Sequence, residues 1–389
     1  MRILFVGNAR SIHLVRWVRQ LEGTGWDVHV FDCYDRPLNP AQKGIAAQVH
    51  SAAPDSKIGA IRRRYLRWRR RLRETADRDD VYFARSRARS LAGLIDQLQP
   101  DIIHALSFVH GCCLVLEAAK ISRACSKTRL IFSTWGHEFT YFARRPHFAS
   151  RVAATLALFD CCVPDCYRDL RLAREAGFRG KIFGPFPGGG GYDVSACRSA
   201  VPSVAPSERK SIAVKGYQHW YGNALLALDC LGRCASELTG YKVEIYGTSR
   251  IIRKAAQRLS GATGLEVLIL PPCPHSDMLG LMGRARIDLA VNTGDGTPNT
   301  MLEAMTMGAF PIQSDTQSIK EWITHGNNGL LIRPTEAGTI TQALLQALAQ
   351  DELVDRAAVR NEQLMRERVD ISVILPRVLA LYEETYAEL

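Results

Sequence analysis

The chain has 389 residues, of which 47% are hydrophobic and 23% charged. That composition excludes a disordered chain, and the length exceeds what one hydrophobic core usually holds, so two domains are expected. The formal charge of +11 points to an acidic partner: nucleotide phosphates, an anionic bilayer or nucleic acid.

The opening MRILFVGNARSIH carries no signal-peptide pattern, because its apolar run ends after Val6. No stretch approaches the ~20 apolar residues of a membrane span. A cytoplasmic protein is expected, with any membrane contact peripheral. Eleven cysteines in no regular framework read as reduced, buried small hydrophobes. Cys161, Cys162 and Cys166 lack a C-x2-C pair, so no metal is expected there.

In chain order, Arg2–Val6 reads as a strand, Gly7–Arg10 as a loop and Ser11–Leu21 as a helix with Ser11 near its cap. Leu14, Val15, Val18 and Leu21 recur at helical spacing. Val28–Phe31 is the second strand, and this strand–helix–strand opening belongs to Rossmann-like domains. Ile61–Arg73, IRRRYLRWRRRLR, holds eight arginines, with Ile61, Tyr65, Trp68 and Leu72 on one helical face. Such a helix suits an anionic bilayer. Docking on its own domain through that stripe, or an RNA contact, are the other readings.

Pro100–His104 starts a strand and leads to a histidine at its carboxyl end, where open α/β sheets bind ligands; His104 is therefore a candidate. Leu130–Ser133 is a strand followed by Thr134-Trp135-Gly136-His137-Glu138, and Phe159–Val163 is another. Phe183–Tyr192, FGPFPGGGGY, breaks any element, and Asp193–Arg209 reads as a linker. Ser211–Val214 opens a second domain, followed by Lys215-Gly216-Tyr217-Gln218 and a helix over Asn223–Cys234. Strands at Val243–Tyr246, Val267–Leu270 and Ile287–Val291 follow, with a helix at His275–Arg284. Ala337–Gln350, Glu352–Arg366 and Ser372–Ala387 are helical by pattern.

The stretch Ile287–Pro334 carries the chemistry. After the strand Ile287–Val291 comes a polar loop, Asn292–Gly296. Thr297 reads as a helix cap with Pro298 at the first helical position. The helix stops at Gly308, and Phe310–Gln313 is the next strand. Asp295 and Glu303 stand eight positions apart, either side of a helix N-terminus whose N–H groups favour an anion. A phosphate on that tip, with hydroxyls held by an acid on each side, is the layout of a nucleoside diphosphate sugar. The plainer reading is an ordinary strand-to-helix turn with an acid near the positive helix end.

Asp295-x7-Glu303, within DGTPNTMLEAMTMGAFPIQSD and followed by IKEWITHGNNGLLIRP, resembles the E-x7-E region of family 4 of the glycosyltransferases. The resemblance covers about fifty residues in order. SIHLVRW resembles the family's opening, and the His137 loop resembles one that approaches the reacting sugar or the acceptor. The resemblance implies an α/β protein of the GT-B fold, with two Rossmann-like domains facing a cleft. Residues 1–190 would form the acceptor-side domain, 191–209 a linker and 210–371 the nucleotide-sugar domain, with the helix at 372–389 crossing back to the first domain.

It further implies that Glu303 binds the donor ribose and Asp295 contacts the donor sugar. Gly296, Thr297, Asn299 and Thr300 would surround the diphosphate at the helix tip, with Lys215 adding positive charge. His137 would be catalytic, with Glu138 orienting it or contacting the acceptor. His13 and Arg16 join His104 as acceptor-side candidates. The chain departs from the family in two places: Asp295 stands where Glu is usual, and VKGYQHWYG offers Lys215 where an Arg and a Lys are usual. Arg250 or the helix tip could compensate.

The implied reaction is retaining transfer of a sugar to an acceptor hydroxyl, without metal or cofactor, in the biosynthesis of a polysaccharide or lipid-linked glycan. The implied partners are the nucleoside diphosphate sugar, a glycan or lipid-linked acceptor and, through Ile61–Arg73, the inner face of the plasma membrane. No nucleic acid is expected. An epimerase or hydrolase of the same fold, and a non-catalytic protein that binds nucleotide sugar, are the alternatives.

Overall fold

A computed structural model describes residues 1–34, 45–52 and 76–389. The basic stretch Ile61–Arg73, and with it the membrane reading, lies outside the described residues. The chain divides into two units. One comprises Met1–Asp165, Asp169–Gly190 and Leu375–Leu389; the other comprises Cys166–Arg168 and Gly191–Ile374.

The first unit holds β1 (Arg2–Gly7), β2 (Asp27–Asp32), β3 (Gln48–Ser51), β4 (Ile102–Leu106), β5 (Arg129–Ser133), β6 (Cys161–Val163) and β7 (Lys181–Ile182). They form one parallel sheet in the order β3-β2-β1-β4-β5-β6-β7. Strands covered on both faces read as unbroken apolar runs, as ILFV in β1 does. Leu4 and Val6 face the helix Ala76–Leu98 through Leu91 and Ile95. On the other face of β1, Phe5 meets His104 and Tyr382. Ser11 caps the first helix, Ile12–Arg19, by accepting from the His13 N–H.

His104 is the first expectation the structure corrects. It lies fully buried in β4 rather than at a ligand-facing strand end. Its Nδ1 is 2.7 Å from the Tyr382 hydroxyl and its Nε2 is 2.7 Å from Ser133 Oγ. The Trp17 indole N–H donates to the same tyrosine oxygen at 2.7 Å. With its oxygen accepting from Trp17, the tyrosine can donate its proton to Nδ1, the arrangement in which Nε2–H donates to Ser133. Burial pushes the His104 pKa down to about 3, so the ring is neutral and structural. This chain of bonds ties the terminal helix, Ile371–Ala387, into the unit through Tyr382.

The second unit repeats the plan. Its strands are β8 (Ser211–Lys215), β9 (Lys242–Tyr246), β10 (Glu266–Ile269), β11 (Ile287–Ala290), β12 (Phe310–Ser314) and β13 (Leu330–Ile332). The order β10-β9-β8-β11-β12-β13 is parallel throughout and reverses direction between β8 and β11. Ligands of doubly wound sheets sit outside the carboxyl ends at such a reversal.

The segment read as a linker is built into this unit instead. It carries a helix, Val194–Ser199, capped by Asp193. Arg209 at its end is buried and donates to the carbonyls of Ala285 and Met307. A polar, proline-containing sequence cannot tell an arginine that caps buried helix ends from one in solvent. Among the described residues no disulfide forms, and nine of the eleven cysteines are buried.

Removing the hydroxyl in Tyr382→Phe leaves two buried polar groups, on Trp17 and His104, without their partner. The variant should lose about 1–3 kcal/mol of stability in denaturant unfolding. An unchanged unfolding midpoint would show that the bonded chain does not hold the terminal helix.

Candidate functional site

The site is built around the helix Asn299–Met307. All its residues from Met301 to Met307 are buried. Met301, Leu302 and Met305 pack with Tyr192, Ile319, Trp322 and Met365. Ala304 and Met307 pack with Ala213, Tyr246, Leu281 and Met282. Burying a Met or Leu side chain contributes about 1.5–3 kcal/mol, so two apolar layers fix the helix in place. Its carboxyl end turns on Gly308, at φ +83°, a conformation that favours glycine. Arg209 and Arg198 donate to the carbonyls of Met307 and Thr306 there, which suits the negative end of the helix.

The helix begins one residue later than its sequence suggests. Pro298 is the cap and Asn299 the first helical residue, and no side chain caps the end. Thr297, expected as the cap, is buried and instead accepts from the Trp322 indole at 3.4 Å. Asn299 Oδ1 accepts from the Tyr192 hydroxyl at 2.6 Å. Thr300 contacts the side chain of Tyr246. Glu303 is then the fifth helical residue, about 6 Å along the axis.

The loop between β11 and this helix carries Asp295 and the buried Gly296. Lys215, at the carboxyl end of β8, meets Asp295 Oδ2 at 3.1 Å. The pair therefore spans the reversal point, with Lys215 ending one central strand and Asp295 on the loop that follows the other. With its amide turned so that Oδ1 accepts from Lys215 Nζ at 3.2 Å, Asn292 is a second ligand for the ammonium. Burial pulls the Lys215 pKa down, but Asp295 and neighbouring groups outweigh it and the net shift is upward. Lys215 is thus a charged, buried partner of the acid. Arg250, the other compensating candidate, is exposed at the start of the helix Arg250–Thr263.

Two further residues, absent from the sequence reading, hold these acids. Arg168 donates to the Asp295 carbonyl at 2.6 Å, and to Thr316 O and Ser318 Oγ at 3.2 Å each. The backbone N–H groups of Tyr167 and Arg168 in turn donate to the Glu321 carboxylate at 2.9 Å each. Glu303 is buried, and its Oε1 lies 2.8 Å from His275 Nε2. His275 opens the helix His275–Arg284, but nothing in the sequence pairs it with an acid 28 residues away.

The remaining candidates lie in the first unit. His13 packs edge-on against Trp135, with ring centroids 5.6 Å apart, and Arg16 passes beside Gly189. His137 is half-buried at the start of a π-helical turn, Glu138–Phe142. Glu138 is buried, and its carboxylate accepts from the backbone N–H groups of Trp135, His137 and Phe108 at 2.9, 2.9 and 3.3 Å. Burial, then the nearby Asp169, raise its pKa. Glu138 therefore holds, through backbone N–H groups, the loop that carries His137.

Asp288 is a buried acid that an apolar strand pattern concealed. Gln313 Nε2 donates to its Oδ2 at 2.6 Å and the Tyr246 hydroxyl to its Oδ1 at 3.4 Å. Burial pushes its pKa up to about 7, against the pull of Lys215. In the folded protein it keeps a proton that the unfolded chain loses above its ordinary pKa of 3.8. Its contribution to stability is therefore full below that value, falls as the pH climbs towards 7 and levels off above. Asp288→Asn should flatten the decline of Tm between about pH 5 and about pH 8 by roughly 5 °C. Parallel Tm profiles for the two proteins would contradict this.

The sequence matches two family descriptions, Glycosyl transferase 4-like over residues 2–159 and Glycosyl transferases group 1 over residues 210–350. No curated relative matches it. The fold is similar to that of the Anabaena protein HepE in complex with UDP and glucose, with a TM-score of 0.68 at 13% identity over all of both chains. Sucrose-phosphate synthase from Thermosynechococcus elongatus gives 0.72 at 12% identity, again over all of both chains. The lipopolysaccharide outer core galactosyltransferase WaaB, in its apo form, gives 0.64 at 14% identity, over 99% of this chain and 100% of that one. Two reversing parallel sheets, and family matches to both halves of the sequence, lead to one conclusion: the chain belongs to the family 4-like glycosyltransferases and has the GT-B fold.

Proposed function

We propose that this protein is a retaining, metal-independent glycosyltransferase. It moves a sugar from a nucleoside diphosphate sugar to a hydroxyl on a glycan, with lipid-linked glycans as the leading acceptor class. The observation that carries this reading is the helix tip at Asn299, set at the reversal point of the second sheet with Asp295 on the loop before it and Glu303 one turn inside. The diphosphate takes the backbone N–H groups of the tip. Glu303, oriented by His275, takes the ribose hydroxyls, and Asp295 faces the transferred sugar.

In this reaction the bond from the anomeric carbon to the diphosphate oxygen breaks while the acceptor oxygen bonds to the same face of that carbon. The acceptor's proton passes to the leaving phosphate, so no side-chain base is needed. Charge gathers on the leaving oxygen, and the preorganised helix tip stabilises it. The sugar passes through an oxocarbenium-like state, which an ionised Asp295 favours. Lys215 serves that state at one remove, by keeping Asp295 ionised and aimed.

Metal independence fits a site in which the Asp295 carboxylate is already paired with the Lys215 ammonium. The complex of HepE with UDP and glucose supports a nucleotide sugar as donor. No helix among the described residues is long and apolar enough to cross a membrane. A lipid-linked acceptor would therefore be met from the membrane surface.

Glu303→Ala should weaken binding of the nucleotide sugar roughly ten- to a hundredfold, the worth of a hydrogen bond to a charged group. Asp295→Asn should cut turnover while nucleotide affinity stays within about threefold. Unchanged affinity and turnover in Glu303→Ala would refute the assignment. Products formed without acceptor separate transfer from epimerisation or hydrolysis, and intact binding with no turnover marks a binding protein.

A further inference from the structure

The loop from Tyr217 to Tyr221 has no part in the scheme above, yet it is built onto the acid loop. The Thr293 N–H donates to the Tyr221 carbonyl at 2.7 Å, and Gly222 bridges to Asn292. The His219 N–H donates to the Gly222 carbonyl at 3.2 Å, closing the loop on itself. Four of its five residues are aromatic and lie against one another in a row. Lys215 Nζ stands 5.0 Å from the Tyr217 ring centre. Tyr217 lies 5.4 Å from His219, His219 lies 4.0 Å from Tyr221, and Tyr221 lies 4.5 Å from Trp220. Tyr217 is seated on Gly247, where a Cβ would come within 2.4 Å of its ring. The row therefore starts at the Lys215–Asp295 pair and ends on Trp220, which is 50% exposed.

We propose that this aromatic row is the platform for the donor's sugar ring, with Trp220 as its outer face. The inference rests on the donor-binding reading given above. It follows from which acid the row adjoins. Lys215 joins Tyr217 to Asp295, and the Tyr221 carbonyl holds Thr293 two residues before that acid, so the row flanks the acid assigned to the transferred sugar rather than Glu303, assigned to the ribose. A pyranose has a face of C–H groups and a rim of hydroxyls. An indole accepts the C–H face through dispersion and its negative ring face, while Asp295 accepts from the rim. Burial, then Lys215, hold the His219 pKa down, so the row carries no competing charge. Because the loop is pinned before any ligand arrives, little ordering is needed on binding.

The test uses the full chain and titration calorimetry with matched probes: UDP and UDP-glucose, ADP and ADP-glucose, GDP and GDP-mannose, dTDP and dTDP-glucose. For the pair that the parent protein binds, Trp220→Ala should weaken the nucleotide sugar about tenfold and leave the bare nucleotide within about twofold. Trp220→Phe should restore most of the loss, and neither change at this exposed position should move the Tm. Equal losses for sugar and bare nucleotide would place a nucleobase on Trp220 and overturn the proposal. Unchanged binding of both would overturn it too, leaving the donor site itself intact. No binding of any probe by the parent protein would instead remove the donor-binding reading, and this inference with it.

Discussion

One largely buried ion pair fixes the loop on which the proposed chemistry depends. Lys215 ends β8 and Asp295 follows β11, and these two strands flank the reversal of the second sheet. Ion pairs out of water are not in themselves stabilising, since desolvation offsets much of their attraction. Their value here is geometric. An ammonium buried at the carboxyl end of a central strand cannot give up its carboxylate without stranding a charge, so the acid loop has one position. Arg168 reinforces it from the backbone side by holding the Asp295 carbonyl.

The helix that follows is constrained as strongly. Two apolar layers enclose it, and two arginines satisfy carbonyls at its far end. Its near end carries no side-chain cap and is the positive end of the helix dipole, which favours an anion. Glu303 and His275 sit one turn inside. The arrangement presents positive backbone between two oriented acids, the complement of a diphosphate with a sugar at either side.

Much of this was legible in the sequence, for identifiable reasons. Strands buried on both faces give short apolar runs, so β1, β8, β11 and β12 stood out. Gly308 marked the helix stop because its backbone conformation favours glycine. The start was misplaced by one residue, since Thr297 has the chemistry of a cap but is drawn to Trp322. What stayed hidden depends on distant partners. His104 reads the same whether it meets a ligand or, as here, a tyrosine 278 residues away. Glu138 gives no sign that it gathers backbone N–H groups, and Asp288 is one acid in an apolar run. The polar stretch before Arg209 resembled a linker because capping arginines and solvated ones are alike in sequence.

The most direct measurement is a crystal structure of the protein with the nucleoside diphosphate sugar it binds. The account predicts the diphosphate at the start of the helix, against Asn299 and Thr300, the ribose at Glu303 and the sugar ring between Asp295 and Trp220. A nucleotide bound elsewhere, with the start of that helix unoccupied, would contradict it.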